Sequence, residues 1–156
     1  MRKRIVGSVV PASESDPVWL DLQELATVEV VSEAPGFPIE SVFIPGPNGG
    51  WRAGSGGKQR VRVIFDKPTR IRIIELQFAE LESARTQEFQ LGWSASEGGP
   101  IHEIVRQQWT FSPEGSTQEV ERYEVNLEPV STVELSITPD ISDPNAKGTL
   151  LKWRMG

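Results

Sequence analysis

Arg60-Val61-Arg62-Val63-Ile64-Phe65-Asp66-Lys67-Pro68-Thr69-Arg70-Ile71-Arg72-Ile73-Ile74-Glu75-Leu76-Gln77-Phe78 is the stretch whose reading decides the fold. Its first half alternates. Val61, Val63 and Phe65 share one face, and Arg60, Arg62 and Ile64 take the other, as the two-residue period of a strand requires. Asp66 to Thr69 has the composition of a tight turn, so Arg70 to Phe78 is expected to return as a second strand. There Ile71 and Ile73 oppose Arg70 and Arg72, but the apolar phase then moves to Ile74, Leu76 and Phe78. Such a change predicts a β-bulge or a strand passing from one sheet to another.

The same pattern extends in both directions. Thr27 to Glu33 alternates and is closed by Ala34-Pro35-Gly36-Phe37-Pro38. Residues 44–59 are too rich in Gly and Pro for a regular element and form a long surface loop, interrupted by Trp51 and Arg52. Four strands follow, Thr86–Ser96, Glu103–Phe111, Gln118–Leu127 and Thr132–Thr138, and Gly148–Met155 closes the chain. Residues 1–26 form a preface in which Val18 to Leu22 reads as an edge strand or a helical turn. Residues 27–156 form one domain. About eight strands with no convincing helical period predict an all-β protein, a sandwich or a barrel.

Composition narrows the function classes. At 156 residues, with 37% hydrophobic and 24% charged content, the chain suits one folded domain. It has no cysteine, which excludes disulfides, thiol nucleophiles and Cys-ligated metal. The start, Met1 to Arg4 followed by Ile5 to Val10, imitates a signal peptide, but the apolar run is short and contains Gly7 and Ser8. No run approaches the ~20 apolar residues that span a bilayer. A cytoplasmic protein with no membrane partner is expected.

The net charge of −6 argues against a generic nucleic-acid binder. Charge is segregated, however. Arg52, Lys58, Arg60, Arg62, Lys67, Arg70 and Arg72 crowd one stretch, and acidic residues dominate after Phe78. If Arg60 to Phe65 paired with Arg70 to Phe78, four guanidinium groups would share a patch. One reading interleaves them with the strand around Glu119 and Glu121 as a solvated ion-pair ladder. The other leaves an open site for phosphate, sulfate or an acidic glycan.

A family resemblance is carried by ordered motifs. These are the strand ending Val30-Val31-Ser32-Glu33, the loop with Gly50-Trp51-Arg52, the strand Val61 to Asp66 running into Lys67-Pro68, Phe89-Gln90-Leu91-Gly92-Trp93-Ser94-Ala95-Ser96-Glu97-Gly98-Gly99, and the closing Leu150-Leu151-Lys152-Trp153-Arg154. From about Thr27 to Arg154 the chain resembles the galactose-binding-domain-like superfamily of discoidin and coagulation-factor C-type domains. Trp51, Arg52, Lys58 and the strand from Arg60 are also similar to the amino-terminal domain of a single-strand-break repair scaffold protein. The resemblance implies a jelly-roll β-sandwich of about eight antiparallel strands. It implies a packed position for Trp51 and a carbohydrate ligand. Sugar-binding members carry an Asp-Gly pair in the loop before the Trp that helps hold calcium; here Phe43 to Gly50 has no acid. No metal and no cofactor are therefore expected.

The only histidine is His102, so no catalytic triad or multi-His centre can be built. It reads as a surface residue at a strand start or as a partner for a sugar hydroxyl or phosphate. Alternating glutamates such as Glu119 and Glu121 read as a solvated sheet face. Trp93 and Trp153 read as core, and Phe37 as an aromatic at a loop tip. The candidate ligand-binding residues are Phe37, Arg52, Lys58, Arg60, Arg62 and His102. With these candidates, the resemblance implies a non-catalytic module that recognises carbohydrate through loops at one end of the sandwich. The alternative is a protein-interaction or nucleic-acid-binding scaffold using residues 52–72.

Overall fold

The computed structural model describes residues 17–156; the signal-like start lies outside the described residues. Two long strands organise the molecule. β3 (Gln59–Ala79) and β6 (Gln118–Thr138) pair antiparallel from Gln59 opposite Ile137 to Ala79 opposite Gln118. The first half of β3 lies between β1 (Ala26–Val30) and the second half of β6. β4 (Arg85–Ser94) and β5 (His102–Phe111) then extend a first sheet in the order β1-β3-β6-β4-β5. The second half of β3 lies between the first half of β6 and β8 (Lys152–Met155), forming the second layer. The short strands β2 (Trp51–Arg52) and β7 (Thr149–Leu150) pair with each other. The molecule is an antiparallel β-sandwich.

The expected turn at Asp66 to Thr69 does not make a hairpin. β3 continues through it as one bent strand, with pairing shifts between Ile64 and Thr69, Thr69 and Ile71, and Ile71 and Ile73. Pro68 has no N–H to give the ladder. Pro129, after a cis peptide bond, lies at the corresponding level of β6. The ladder is interrupted there and the pair bends from one sheet into the other. For the same reason Gln118–Leu127 and Thr132–Thr138 are one strand and not two.

The apolar phase change appears as read. Val61, Val63 and Phe65 are buried in the first half of β3, and Ile71, Ile74, Leu76 and Phe78 in the second. Across the core Phe78 of the second layer meets Phe89 of the first, with ring centroids 5.0 Å apart. Trp153 is fully buried, while Trp93 is only half-buried.

Register overturns the solvated reading of Glu119 and Glu121. They stand opposite Phe78 and Leu76, and directly opposed residues in an antiparallel pair share a face. They therefore point inward. Glu119 is buried with neither carboxylate oxygen partnered, beside Glu121 and Tyr123. Burial and the neighbouring Glu121 raise its pKa to about 8.

Residues 17–21 are irregular and lead into one helical turn, α1 (Leu22–Leu25). Leu20 N–H donates to Met155 O at 2.8 Å, and Leu22 joins the core. Among the described residues no helix is long and apolar enough to cross a membrane.

Candidate functional site

Because β3 bends back, both of its ends reach the same end of the sandwich. Ala79 accepts a hydrogen bond from Thr149 Oγ1, Glu80 N–H donates to Thr117 O, and Ile141 N–H donates to Thr86 O. Arg85 ties these segments together from a buried position. Its Nε donates to Glu80 Oε1 at 2.9 Å, its Nη1 to Gln87 Oε1 and Pro139 O, and its Nη2 to Thr149 Oγ1. A planar guanidinium can serve four acceptors in fixed directions, which an ammonium cannot. Its carbon also lies 4.8 Å from the Phe111 ring centroid.

The loop around β2 closes against this cluster. Gly50 adopts φ +68° where a Cβ would meet Leu150 O at 2.5 Å, so only glycine fits the approach to β7. Ala53 N–H donates to Gly148 O and Gly57 N–H to Ala146 O, both at 2.9 Å. Trp51 is buried, and its Nε1–H donates to Ser32 O. Successive residues of a strand face opposite sides, so burial of Trp51 turns Arg52 outward.

Arg52 separates two clefts. On one side Phe37, Asn48, Leu81, Glu82 and Gln118 line a cleft of about 400 Å³. On the other Ser83, Asp140, Asp143, Asn145 and Lys147 line one of about 300 Å³. The Arg52 guanidinium carbon lies 5.6 Å from the Phe37 centroid. Among the described residues only Arg52 and Arg72 are arginines with no carboxylate oxygen within 4.0 Å. Glu80 is held below the usual carboxylate range. Burial pushes its pKa up, but the Arg85 hydrogen bond, the Glu82 amide and the charges of Arg85 and Arg52 outweigh it.

The remaining sequence candidates separate. Lys58 is exposed beside the cluster but lines neither cleft. Arg60 and Arg62 lie on the outer face of the first sheet, 3.3 and 3.7 Å from Glu134 Oε1, and Arg70 lies 3.6 Å from Glu128. The ion-paired reading of the basic stretch holds for Arg60, Arg62 and Arg70 and not for Arg72, with Glu134 and Glu128 as partners instead of Glu119 and Glu121. The bend also keeps Arg70 and Arg72 off the Arg60 patch. His102 is exposed at the start of β5, its ring 5.3 Å from Trp93. That pair lies at the far end of β4 from Arg85, on the order of 25 Å away by strand rise.

A further cleft of about 360 Å³ lies along β8, between Trp19, Phe43 and Trp153. Its cations are committed. Lys152 Nζ donates to Ile44 O at 2.7 Å and to Gly46 O, and Arg154 is bound to Glu75.

No protein-family model matches the chain, and no curated protein matches it in sequence. Solved structures do. The family 32 carbohydrate-binding module from C. perfringens NanJ, solved with galactose, is 10% identical with a TM-score of 0.64, over 88% of this chain and 96% of that one. The family 32 module of AlyQ, solved with 4,5-unsaturated mannuronic acid, is 12% identical with a TM-score of 0.62, over 90% and 98%. A Ruminococcus gnavus family 29 fucosidase, solved with fucose, matches 87% of this chain through 26% of its own length, at 11% identity and a TM-score of 0.68. At these identities the likeness shows the fold. This chain shares their antiparallel jelly-roll fold.

The calcium implied by that galactose-binding-like resemblance does not fit the residues present. Phe43 to Gly50 has no carboxylate, and the Lys152 ammonium already sits on the carbonyl oxygens of Ile44 and Gly46. Calcium needs six to eight oxygens. Among the described residues no three His, Cys, Asp or Glu side chains gather as a metal set.

Arg85, Leu81 and Gln118 belong to the loop end but were not singled out by the sequence. Arg85 meets Pro139 and Thr149 at separations of 54 and 64 residues, and no local pattern encodes such contacts.

Proposed function

We propose that the protein is a non-catalytic carbohydrate-binding module whose ligand enters the loop-end cleft between Phe37 and Arg52. The observation that carries this reading is their convergence, an aromatic ring and an arginine with no carboxylate partner at the mouth of a cleft of about 400 Å³. Sugars present an apolar face and a rim of hydroxyl groups, and such a pairing offers a surface for the first and fixed donors for the second. Similar sandwiches were solved with galactose and with an unsaturated mannuronic acid, which supports a sugar ligand for this fold.

A glycosidase requires two carboxyl groups set across a cleft. Glu119, whose pKa burial and the neighbouring Glu121 raise, faces the core row of Phe78 and Leu76 with Glu121, and neither lines a loop-end cleft. The scaffold reading relied on an open basic stretch, and Arg60, Arg62 and Arg70 each face a glutamate. A glycan array tests the proposal. Binding of at least one sugar class, lost on Phe37→Ala, is expected; a blank array with folded protein would end it.

A further inference from the structure

Four carboxylates share the two clefts with Arg52, namely Glu80, Glu82, Asp140 and Asp143, and none has an oxygen within 4.0 Å of its guanidinium. Glu80 is a buried carboxylate that feels the charge of Arg52. Its Oε1 accepts from Arg85 Nε at 2.9 Å and its Oε2 from Glu82 N–H at 3.2 Å. On the side of the smaller cleft, Asp140 accepts from Ser142 N–H and Oγ–H, and Asp143 accepts from Asn145 N–H. Arg85 itself is buried and has four of its five N–H donors committed, since its Nε, Nη1 and Nη2 already serve four acceptors.

The backbone of Arg52 is fixed. It pairs with Thr149 across β2 and β7, and Arg52 O accepts from Ala34 N–H at 2.8 Å. The guanidinium carbon lies over the Phe37 ring, 5.6 Å from its centroid. A half-buried guanidinium with no carboxylate partner, on a backbone held in place, can bind carboxylate or sulfate oxygens by charge-assisted hydrogen bonds. The larger cleft is the side that can receive an anion. Its one carboxylate, Glu82, is exposed.

We propose that the sugar held in the larger cleft is anionic, a uronic acid or a sulfated residue whose acidic group pairs with Arg52. This rests on the carbohydrate reading above and adds the chemical class of the ligand.

Calorimetric titration of the full chain against four probes tests it: trigalacturonate, its methyl ester, a sulfated galactotriose and neutral galactotriose. The free acid or the sulfated sugar should bind about tenfold or more tighter than its uncharged counterpart, the size of one charge-assisted hydrogen bond. The difference between those two arms identifies the anion. High salt should shrink the preference. Arg52→Gln should abolish it, and Arg52→Lys should retain part of it. Arg72→Gln, which removes the other unpaired arginine outside the cleft, should leave it intact. Equal or tighter binding of the uncharged sugars by the wild-type chain would overturn the anionic assignment while sustaining the carbohydrate reading. A preference that survives Arg52→Gln would also overturn it. Failure of all four probes, together with a blank array, would remove both.

Discussion

Arg52 lies over Phe37, its guanidinium carbon 5.6 Å from the ring centroid, although fourteen residues separate the two in sequence. Each is held half-buried by a different neighbour: Arg52 by the burial of Trp51, Phe37 by its hydrogen bond from N–H to Ala34 O at 3.0 Å. Phe37→Ala removes a surface contact and no core atom. Its melting temperature should stay near wild type, and affinity for the glycan should fall about two- to tenfold, as an aromatic contact of about 0.5–1.5 kcal/mol implies. Unchanged affinity in the folded variant would place the ligand elsewhere.

Lys152 supplies a built-in cation for the loop before Trp51. Calcium and a chelator should each leave the melting temperature unchanged, because ligand-linked stabilisation needs a site. Lys152→Met should lower stability by about 1–2 kcal/mol, since the Ile44 and Gly46 carbonyls lose a charged donor. Calcium should not restore it. Calcium-dependent melting of the wild type would contradict this assignment.

Much of the fold was legible because it rests on local period. The alternation of Val61, Val63 and Phe65 and the slip to Ile74, Leu76 and Phe78 encode which residues face the core and where β3 changes sheets. What the alternation does not encode is direction after the slip. Asp66 to Thr69 suits a hairpin in composition, and only the matching interruption at Pro129 on a distant strand makes it a bend. Glu119 was misread for a related reason: alternation marks two faces, and pairing with Phe78 decides which is inside. In the loop end, Phe37 and Arg52 stood out by residue type, whereas Arg85 acts through partners on other loops and left no local mark.

Glu119 makes stability depend on pH. Its carboxyl stays protonated in the folded protein up to about pH 8, whereas the unfolded chain ionises it near 4.5. The folded state thus holds the extra proton in that window, and stability should fall as pH rises through it. Glu119→Gln should match wild type near pH 4.5 and exceed it above pH 8, by on the order of 1–3 kcal/mol for an unpartnered buried group. Urea midpoints at the two pH values measure the gap; a gap of the same size at both would refute the buried ionisation.

Glu75 works in the opposite direction. Burial alone would raise its pKa, but Arg154 at 2.6 Å and Arg122 at 2.5 Å hold it below the usual carboxylate range. The stability this contributes is present above the unfolded pKa and lost as pH falls through the lower folded value. Glu75→Gln should therefore be less stable than wild type at neutral pH by about 1–3 kcal/mol, and the difference should vanish in acid.

Arg85→Ala should destabilise by about 3–5 kcal/mol, because it strands the buried Glu80 carboxylate. Arg85→Lys should recover only part, since an ammonium cannot reach all four acceptors. Both should weaken glycan binding without touching the ligand, through loss of order in residues 80–84 and 139–149. Retained affinity in Arg85→Lys alongside reduced stability would separate loop order from binding.

The most direct test of the central claim is backbone amide shift mapping by nuclear magnetic resonance, with the best-binding glycan titrated into isotope-labelled protein. Saturable shifts should concentrate at residues 36–37, 48–53, 79–84, 118 and 149–151, around Phe37 and Arg52. Shifts centred instead on Arg60, Arg62 and Glu134, or on Trp93 and His102, would contradict the loop-end site.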